Sequence, residues 1–185
     1  ISDDKDITVK PRLFNNNTFI IQNEYRQITE SSLTIIDSSI TKGHNSSKDD
    51  TGDTRSHFFA NSKIKLNFQN FITSDMEINY EKSSNDNYLK LFNFMKSPLL
   101  LEKDNSTLES IIKLDLAHED YDLTSSFEMY ETLSGPSSDR YQYVLPSFDF
   151  SKNFLLGNSN GSFNFNSNGN NTLRETNITT SSLVN

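Results

Sequence analysis

An all-β, antiparallel fold follows from three features of the sequence. Apolar and polar residues alternate along most of it, alanine is almost absent, and aromatic residues are plentiful in an otherwise polar chain. Alternation with a period of two puts apolar side chains on one face of a strand and polar ones on the other, whereas a helix would scatter both sets. Only 33% of the 185 residues are hydrophobic, short of the usual share even with the 6 glycines added. Ala60 and Ala117 are the only alanines, which argues against long helices. The 14 Phe and 7 Tyr argue against a disordered chain, which is poor in aromatics.

The individual elements follow in order. Weaker alternation predicts strands over about 6–14, 18–28 and 31–42, with the first two joined by Asn15-Asn16-Asn17. Residues 43–55 form the longest polar gap. The clearest strand comes next. Phe58, Ala60, Ser62, Ile64, Leu66 and Phe68 share one face, and His57, Phe59, Asn61, Lys63, Lys65 and Asn67 share the other. In the next strand Met76, Ile78 and Tyr80 oppose Asp75, Glu77 and Asn79, before a turn at Ser83-Ser84-Asn85-Asp86. A further strand is predicted over about 88–95. Then Leu108, Ile112, Leu114 and Leu116 oppose Glu109, Lys113 and Asp115, and Tyr121, Leu123, Phe127 and Met129 oppose Asp122, Thr124, Ser126 and Glu128. After the turn Ser134-Gly135-Pro136-Ser137-Ser138, strands are expected over about 140–150 and 171–180. Residues 157–171 are low in complexity and read as a loop or a weak strand.

Two architectures share this pattern. A soluble sandwich turns its apolar faces toward each other, while a membrane barrel turns them toward lipid and lines a wet lumen with the polar faces. Several segments alternate for about ten residues, enough for a membrane crossing. Tyr80, Tyr88, Tyr121, Tyr130, Tyr141 and Tyr143 fall near strand ends, where an interfacial girdle would need them. Alternation alone leaves both architectures open.

Composition narrows the chemistry. A net charge of −8 argues against a nucleic-acid partner, since phosphate binding needs a basic surface. The absence of cysteine excludes disulfides and thiolate metal sites. Gly157-Asn158-Ser159-Asn160-Gly161 matches a nucleophile elbow, but Phe163-Asn164-Phe165-Asn166 is no helix and the last histidine, His118, lies upstream. Asp49, Asp50 and Asp53 lack the spacing and terminal Glu of a calcium loop, and Glu119, Asp120 and Asp122 read as a charged strand boundary. His44, His57 and His118 form no zinc motif. No catalytic, metal-binding or cofactor-binding constellation is therefore expected, and the chain reads as a non-enzyme.

Four short segments carry a resemblance. Asp6-Ile7-Thr8-Val9-Lys10-Pro11-Arg12-Leu13-Phe14 is followed by a polar turn and then Gln22-Asn23-Glu24-Tyr25-Arg26. Ser84-Asn85-Asp86-Asn87-Tyr88-Leu89 and Arg140-Tyr141-Gln142-Tyr143-Val144-Leu145-Pro146 come later. In this order, over residues 6–150, they resemble the early barrel strands of the LptD family of lipopolysaccharide-assembly outer-membrane proteins, also called the organic solvent tolerance family. The last segment is displaced by one inserted residue.

The resemblance implies an all-β transmembrane barrel in the outer membrane of a Gram-negative bacterium, in contact with outer-membrane lipid. It implies export of lipopolysaccharide into the outer leaflet, an LptE-like plug lipoprotein in the lumen, and a periplasmic lipopolysaccharide-transport bridge. The bridge would be reached through a jellyroll domain that this sequence lacks, as it lacks the cysteines of many members. Residues 1–185 would be the N-terminal part of the barrel domain: about eight to ten strands, too few to close it, in an internal fragment. On this reading Lys63, Lys65, Glu77 and Lys113 face the lumen and Ile64 and Leu66 face lipid. Pro11 matches a family proline thought to loosen the seam through which lipid leaves; an ordinary strand-start proline is the plainer alternative. Rival functions are another outer-membrane barrel (porin or transporter), a soluble β-sandwich binding module and, more remotely, a hydrolase built on Ser159.

Overall fold

A computed structural model describes residues 3–14, 19–42, 54–92, 106–134, 140–157 and 161–174. They form one antiparallel sheet in which every strand pairs with its neighbours in sequence. The strands are β1 (Lys5–Leu13), β2 (Phe19–Ile28), β3 (Ser32–Lys42), β4 (Arg55–Lys65), β5 (Phe71–Ser83), β6 (Thr107–His118), β7 (Tyr121–Thr132), β8 (Tyr141–Leu156) and β9 (Gly161–Arg174). One short helix, α1 (Tyr88–Phe92), lies between β5 and β6. The sheet is open, with β1 and β9 as its edges.

Hairpin rhythm explains this topology, because antiparallel strands need only short links whereas parallel ones need long crossovers. The links differ at the two ends. At one end they are 29–31, 66–70, 119–120 and 157–160; at the other they are 14–18, 43–54, 84–106 and 133–140. At the short-link end, Asn67 (φ 52) and Asn70 (φ 70) take left-handed conformations in the β4–β5 turn. Asn tolerates that region better than other residues with a Cβ.

Register carries the sequence alternation across the whole sheet. Lys63 stands opposite Glu77, which stands opposite Lys113, while Ile64 stands opposite Met76 and Met76 opposite Leu114. One face is therefore charged and hydroxylated, and the other is apolar. Near Pro146 the ladder slips, both against β7 and against β9. Proline has no amide hydrogen to give the ladder, so a bulge is where it is tolerated.

Three expectations need correction. Residues 88–95 were expected as a strand, but Tyr88–Phe92 is helical. Its Leu-Lys-Leu-Phe spacing suits either period, and periodicity cannot separate the two over so short a run. The final strand is Gly161–Arg174 rather than 171–180, so most of the low-complexity tract is strand and the rest of that prediction lies outside the described residues. Asn and Gly are poor strand formers, so here the β8 ladder overrides local preference. The best-patterned strand also runs Arg55–Lys65, leaving Leu66 and Phe68 in the turn.

Gly169 marks a close approach on the apolar face. A Cβ there would lie 2.9 Å from Phe148 Cε1 and 3.1 Å from its Cζ. The ring of Phe148 covers the glycine opposite it, a known way to stabilise a strand glycine. Gly169→Val is expected to weaken β8–β9 pairing by about 1–3 kcal/mol through overpacking. The loss should shrink in a Phe148→Ala background. Thermal melts of the two single variants and the double variant measure that coupling.

Candidate functional site: the polar face of the sheet

Burial is inverted relative to a soluble sheet. Among the described residues, the buried set holds more polar and charged side chains than apolar ones, including Gln22, Glu24, Asp37, Ser39, His57 and Glu81. Large apolar side chains on the opposite face are open, with Val9 56%, Ile112 51% and Phe127 51% exposed. The sheltered surface is the polar one.

Its most enclosed part is a chain of hydrogen bonds across β2, β3 and β4, capped by α1. Asp37 is the acceptor at its end. Gln22 Nε2 donates to both carboxylate oxygens, at 3.2 and 3.0 Å, and His57 Nε2 lies 2.6 Å from Oδ1. His57 Nδ1 lies 2.6 Å from Ser39 Oγ, which lies 2.9 Å from the Tyr88 hydroxyl. With Asp37 ionised and His57 neutral, every donor in the chain can point toward the carboxylate. Tyr88 donates to Ser39, Ser39 to His57 and His57 to Asp37. Gln22 Oε1 is left buried without a hydrogen-bond partner. Burial pushes the Tyr88 phenol up from its ordinary pKa, against the Ser39 hydrogen bond, which draws it down.

Register creates this chain. Ser39 stands opposite both Gln22 and His57, and Asp37 stands opposite Glu24 and Phe59. Ser39, His57 and Asp37 touch in the order of a nucleophilic triad. Tyr88 and Ser39 are both fully buried or nearly so, however, and Tyr88 occupies the side from which an acyl group would approach. The geometry positions α1 rather than opening a nucleophile.

A second cluster sits where the long links leave the sheet. Glu131, 1% exposed, accepts from Lys82 Nζ at 2.8 Å, from Arg140 Nε at 2.9 Å and from the Tyr141 hydroxyl at 3.1 Å. Arg140 also forms a bidentate pair with Asp86, at 2.7 and 3.2 Å. Asp86, together with Glu131, holds the Arg140 guanidinium above its usual range. Asp86 and Tyr88 belong to one of the four resembling segments and Arg140 to another, so the fold joins two segments that are far apart in sequence.

The residues singled out from sequence take definite places. Lys63, Lys65, Glu77 and Lys113 all lie on the polar face. Lys63 Nζ is 3.8 Å from Glu77 Oε1, and Lys113 Nζ is 2.9 Å from Asp115 Oδ2. Of the tyrosines expected in a girdle, Tyr80, Tyr121, Tyr141 and Tyr143 do lie on the apolar face. Tyr130, opposite Glu109, lies on the polar face, and Tyr88 is inside, on α1. Asp49, Asp50, Asp53 and Ser159 lie outside the described residues. Among the described residues no group of His, Asp and Glu is placed to hold a metal ion.

Pro11 sits on edge strand β1, opposite Ile21. Ile28 N donates to Asp4 O at 2.9 Å, which fixes the phase of the β1–β2 ladder. Hydrogen-bonded pairs alternate along an antiparallel ladder, so Asp6, Thr8, Lys10 and Arg12 exchange bonds with β2. The nitrogens of Ile7, Val9, Pro11 and Leu13 point to the free edge. Pro11 thus costs the β1–β2 pairing nothing and leaves a gap in the donors offered to any further strand.

No family model matches the chain, and no curated protein matches it. The likeness described above therefore rests on its four segments alone.

Asp37→Asn tests the buried chain. An asparagine can still accept from His57, but its NH2 group then faces Gln22, whose amide must turn to offer Oε1 and so leaves its own NH2 group buried without an acceptor. The variant should lose about 1–3 kcal/mol, the usual cost of leaving a buried donor unpaired. Denaturant titration measures it. Asp75→Asn, at the open end of the same face, should change stability by under about 0.5 kcal/mol.

Proposed function

We propose that this sheet is a section of an outer-membrane β-barrel wall, with its apolar face against lipid and its polar face lining the lumen. The observation that carries the reading is where charge falls. Among the described residues, the charged strand residues on the apolar face are Lys5, Lys42, Lys82 and Glu131, all at or next to strand ends, and Lys152, four residues inside the end of β8 and opposite Tyr121 at the start of β7. Between them lie Ile7, Val9, Ile36, Ile78, Ile112, Leu114, Leu123 and Phe127. A charge at mid-bilayer costs about 2–4 kcal/mol, falling toward zero at the interfaces, so a lipid-facing surface should have this distribution.

Three further features support it. Aromatic side chains gather in two rows on that face: Phe71, Tyr121, Phe150 and Phe165 toward the short links, and Phe58, Tyr80, Tyr141 and Tyr143 toward the long ones. From Phe71 to Tyr80 is about 30 Å along the strand, or about 23 Å vertically at a tilt of about 40°, close to the height of an apolar barrel band. Three hydroxyls near the middle of the face are paired within the protein: Thr34 with Ser62 at 2.8 Å, and Ser125 with the Ser147 carbonyl at 3.2 Å. Short links at one end and long ones at the other match periplasmic turns and extracellular loops. A soluble sandwich would need a second layer over the apolar face, and the described residues supply none.

The finer reading is export of lipopolysaccharide, with an LptE-like plug against the polar face and a periplasmic bridge delivering the lipid. It rests on the four resembling segments and on Pro11. A proline whose nitrogen faces the free edge would weaken pairing with a closing strand while leaving β1–β2 intact.

Single cysteines test the membrane reading, since the chain has no cysteine of its own. In lipid vesicles, cysteines at 77 and 113 should react with a charged thiol reagent, and a fluorophore attached to a cysteine at 78 or 112 should be quenched by a lipid-borne quencher. The opposite pattern, or stable folding as a monomer in plain buffer, would exclude it. Pro11→Val tests the export reading: the restored donor is worth about 0.5–1.5 kcal/mol if a partner carbonyl is in register. Cells whose only copy carries the change should show less surface lipopolysaccharide and greater sensitivity to large antibiotics. Wild-type levels of both would return Pro11 to an ordinary edge proline.

A further inference from the structure

The β5–β6 link does more than join two strands. It turns back from the end of β5, passes over β4 and puts Tyr88 against Ser39 of β3. We propose that α1 is a stopper on the polar face, pinned by Tyr88 and tethered at the Asp86–Arg140 pair, and that it lifts while the sheet stays folded.

The seat is small. Tyr88 is 0% and Leu89 2% exposed, whereas Lys90 and Leu91 are exposed. A helix of 5 residues is far too short to persist alone, so its conformation depends on those two side chains. The seat is part polar and part apolar: Tyr88 meets Ser39 and the His57 ring, and Tyr88 and Leu89 share a buried apolar cluster with Ile20, Phe59, Leu108 and Leu133. Lifting α1 therefore exposes groups that water can solvate. Water would also give Gln22 Oε1 the donor it lacks.

The hydrogen bonds of the sheet survive the departure of the phenol. Ser39 can keep its bond to His57, and Asp37 keeps both of its donors, because the Tyr88 hydrogen bond joins the chain at Ser39 while its ring meets the His57 ring by packing, at 6.2 Å between centroids. Asp86 holds the start of the link at the rim through Arg140, itself fixed by Glu131, so the segment swings rather than drifts. Opening puts Asp37, His57 and Gln22 within reach of whatever lies along the polar face. None of this requires lipid on the other face, so it stands or falls separately from the membrane reading.

Modification of histidine by diethyl pyrocarbonate, followed by mass spectrometry on the full folded chain, reads the stopper directly. His57 has a fully buried side chain, and His118, 25% exposed, serves as the reference in the same molecule. In Tyr88→Ala the rate at His57 should rise by about tenfold or more relative to His118, since local opening costs less than global unfolding. Leu89→Ala should act in the same direction, and Tyr88→Phe, which keeps the ring, should fall between. Amide exchange in β2, β3 and β4 should stay slow in all three. An unchanged His57 rate in both alanine variants would overturn the proposal. So would loss of strand protection together with His57 exposure, or failure of both alanine variants to fold, because α1 would then be part of the core.

Discussion

A single sheet has two faces and no interior, and everything else in this molecule answers to that constraint. Burial of apolar surface is the main driving force of folding, yet among the described residues no second layer buries the apolar face. Two such layers would make a sandwich. One layer, apolar and exposed on one side and charged on the other, is what the proposed barrel wall would present to lipid. The placing of Lys5, Lys42, Lys82 and Glu131 at or next to strand ends on that face fits the same proposal. So does the internal pairing of hydroxyls such as Thr34 and Ser62.

The polar face has the opposite problem. Buried charges are costly unless they are paired and hydrogen-bonded. Glu24 meets both Lys10 and Arg26, and Asp37 receives His57 and Gln22; at the rim of the other face Glu131 likewise gathers Lys82, Arg140 and Tyr141. Asp37 is the exception in kind, because its partners need carry no charge. Neutral donors in series can satisfy it, and the last of them, Tyr88, belongs to a different structural unit. That arrangement makes the helix removable. A seat built on Lys or Arg would leave an uncompensated buried charge when it opened.

The two edges of the sheet are unlike. β1 presents alternate backbone donors with a gap at Pro11, so a strand added there must forgo one bond. β9 is rich in Asn and Gly, residues with little strand preference, and depends on β8 for its order. Open edges invite pairing with other chains, and a closed barrel removes them. The phase of the ladder, not the mere presence of proline, decides that β1 keeps its bonds to β2.

Period-two alternation by itself determined the all-β class, the two faces of β4 to β7 and the shared face of Lys63, Lys65, Glu77 and Lys113. That information is local: side chains two residues apart on a strand must point the same way. Only the tertiary structure decided that Tyr88-Leu89-Lys90-Leu91-Phe92 is a helix, because a run that short fits both periods and its seat on β3 and β4 lies far away in sequence. The same holds for Gly161–Arg174, where pairing with β8 outweighs a composition that favours turns. The chain from Tyr88 to Asp37 left no motif to read. Gln22, Asp37, Ser39, His57 and Tyr88 come from four separate segments, and ladder register together with the fold of one link brings them into contact. Residue spacing within a segment carries no record of register between segments.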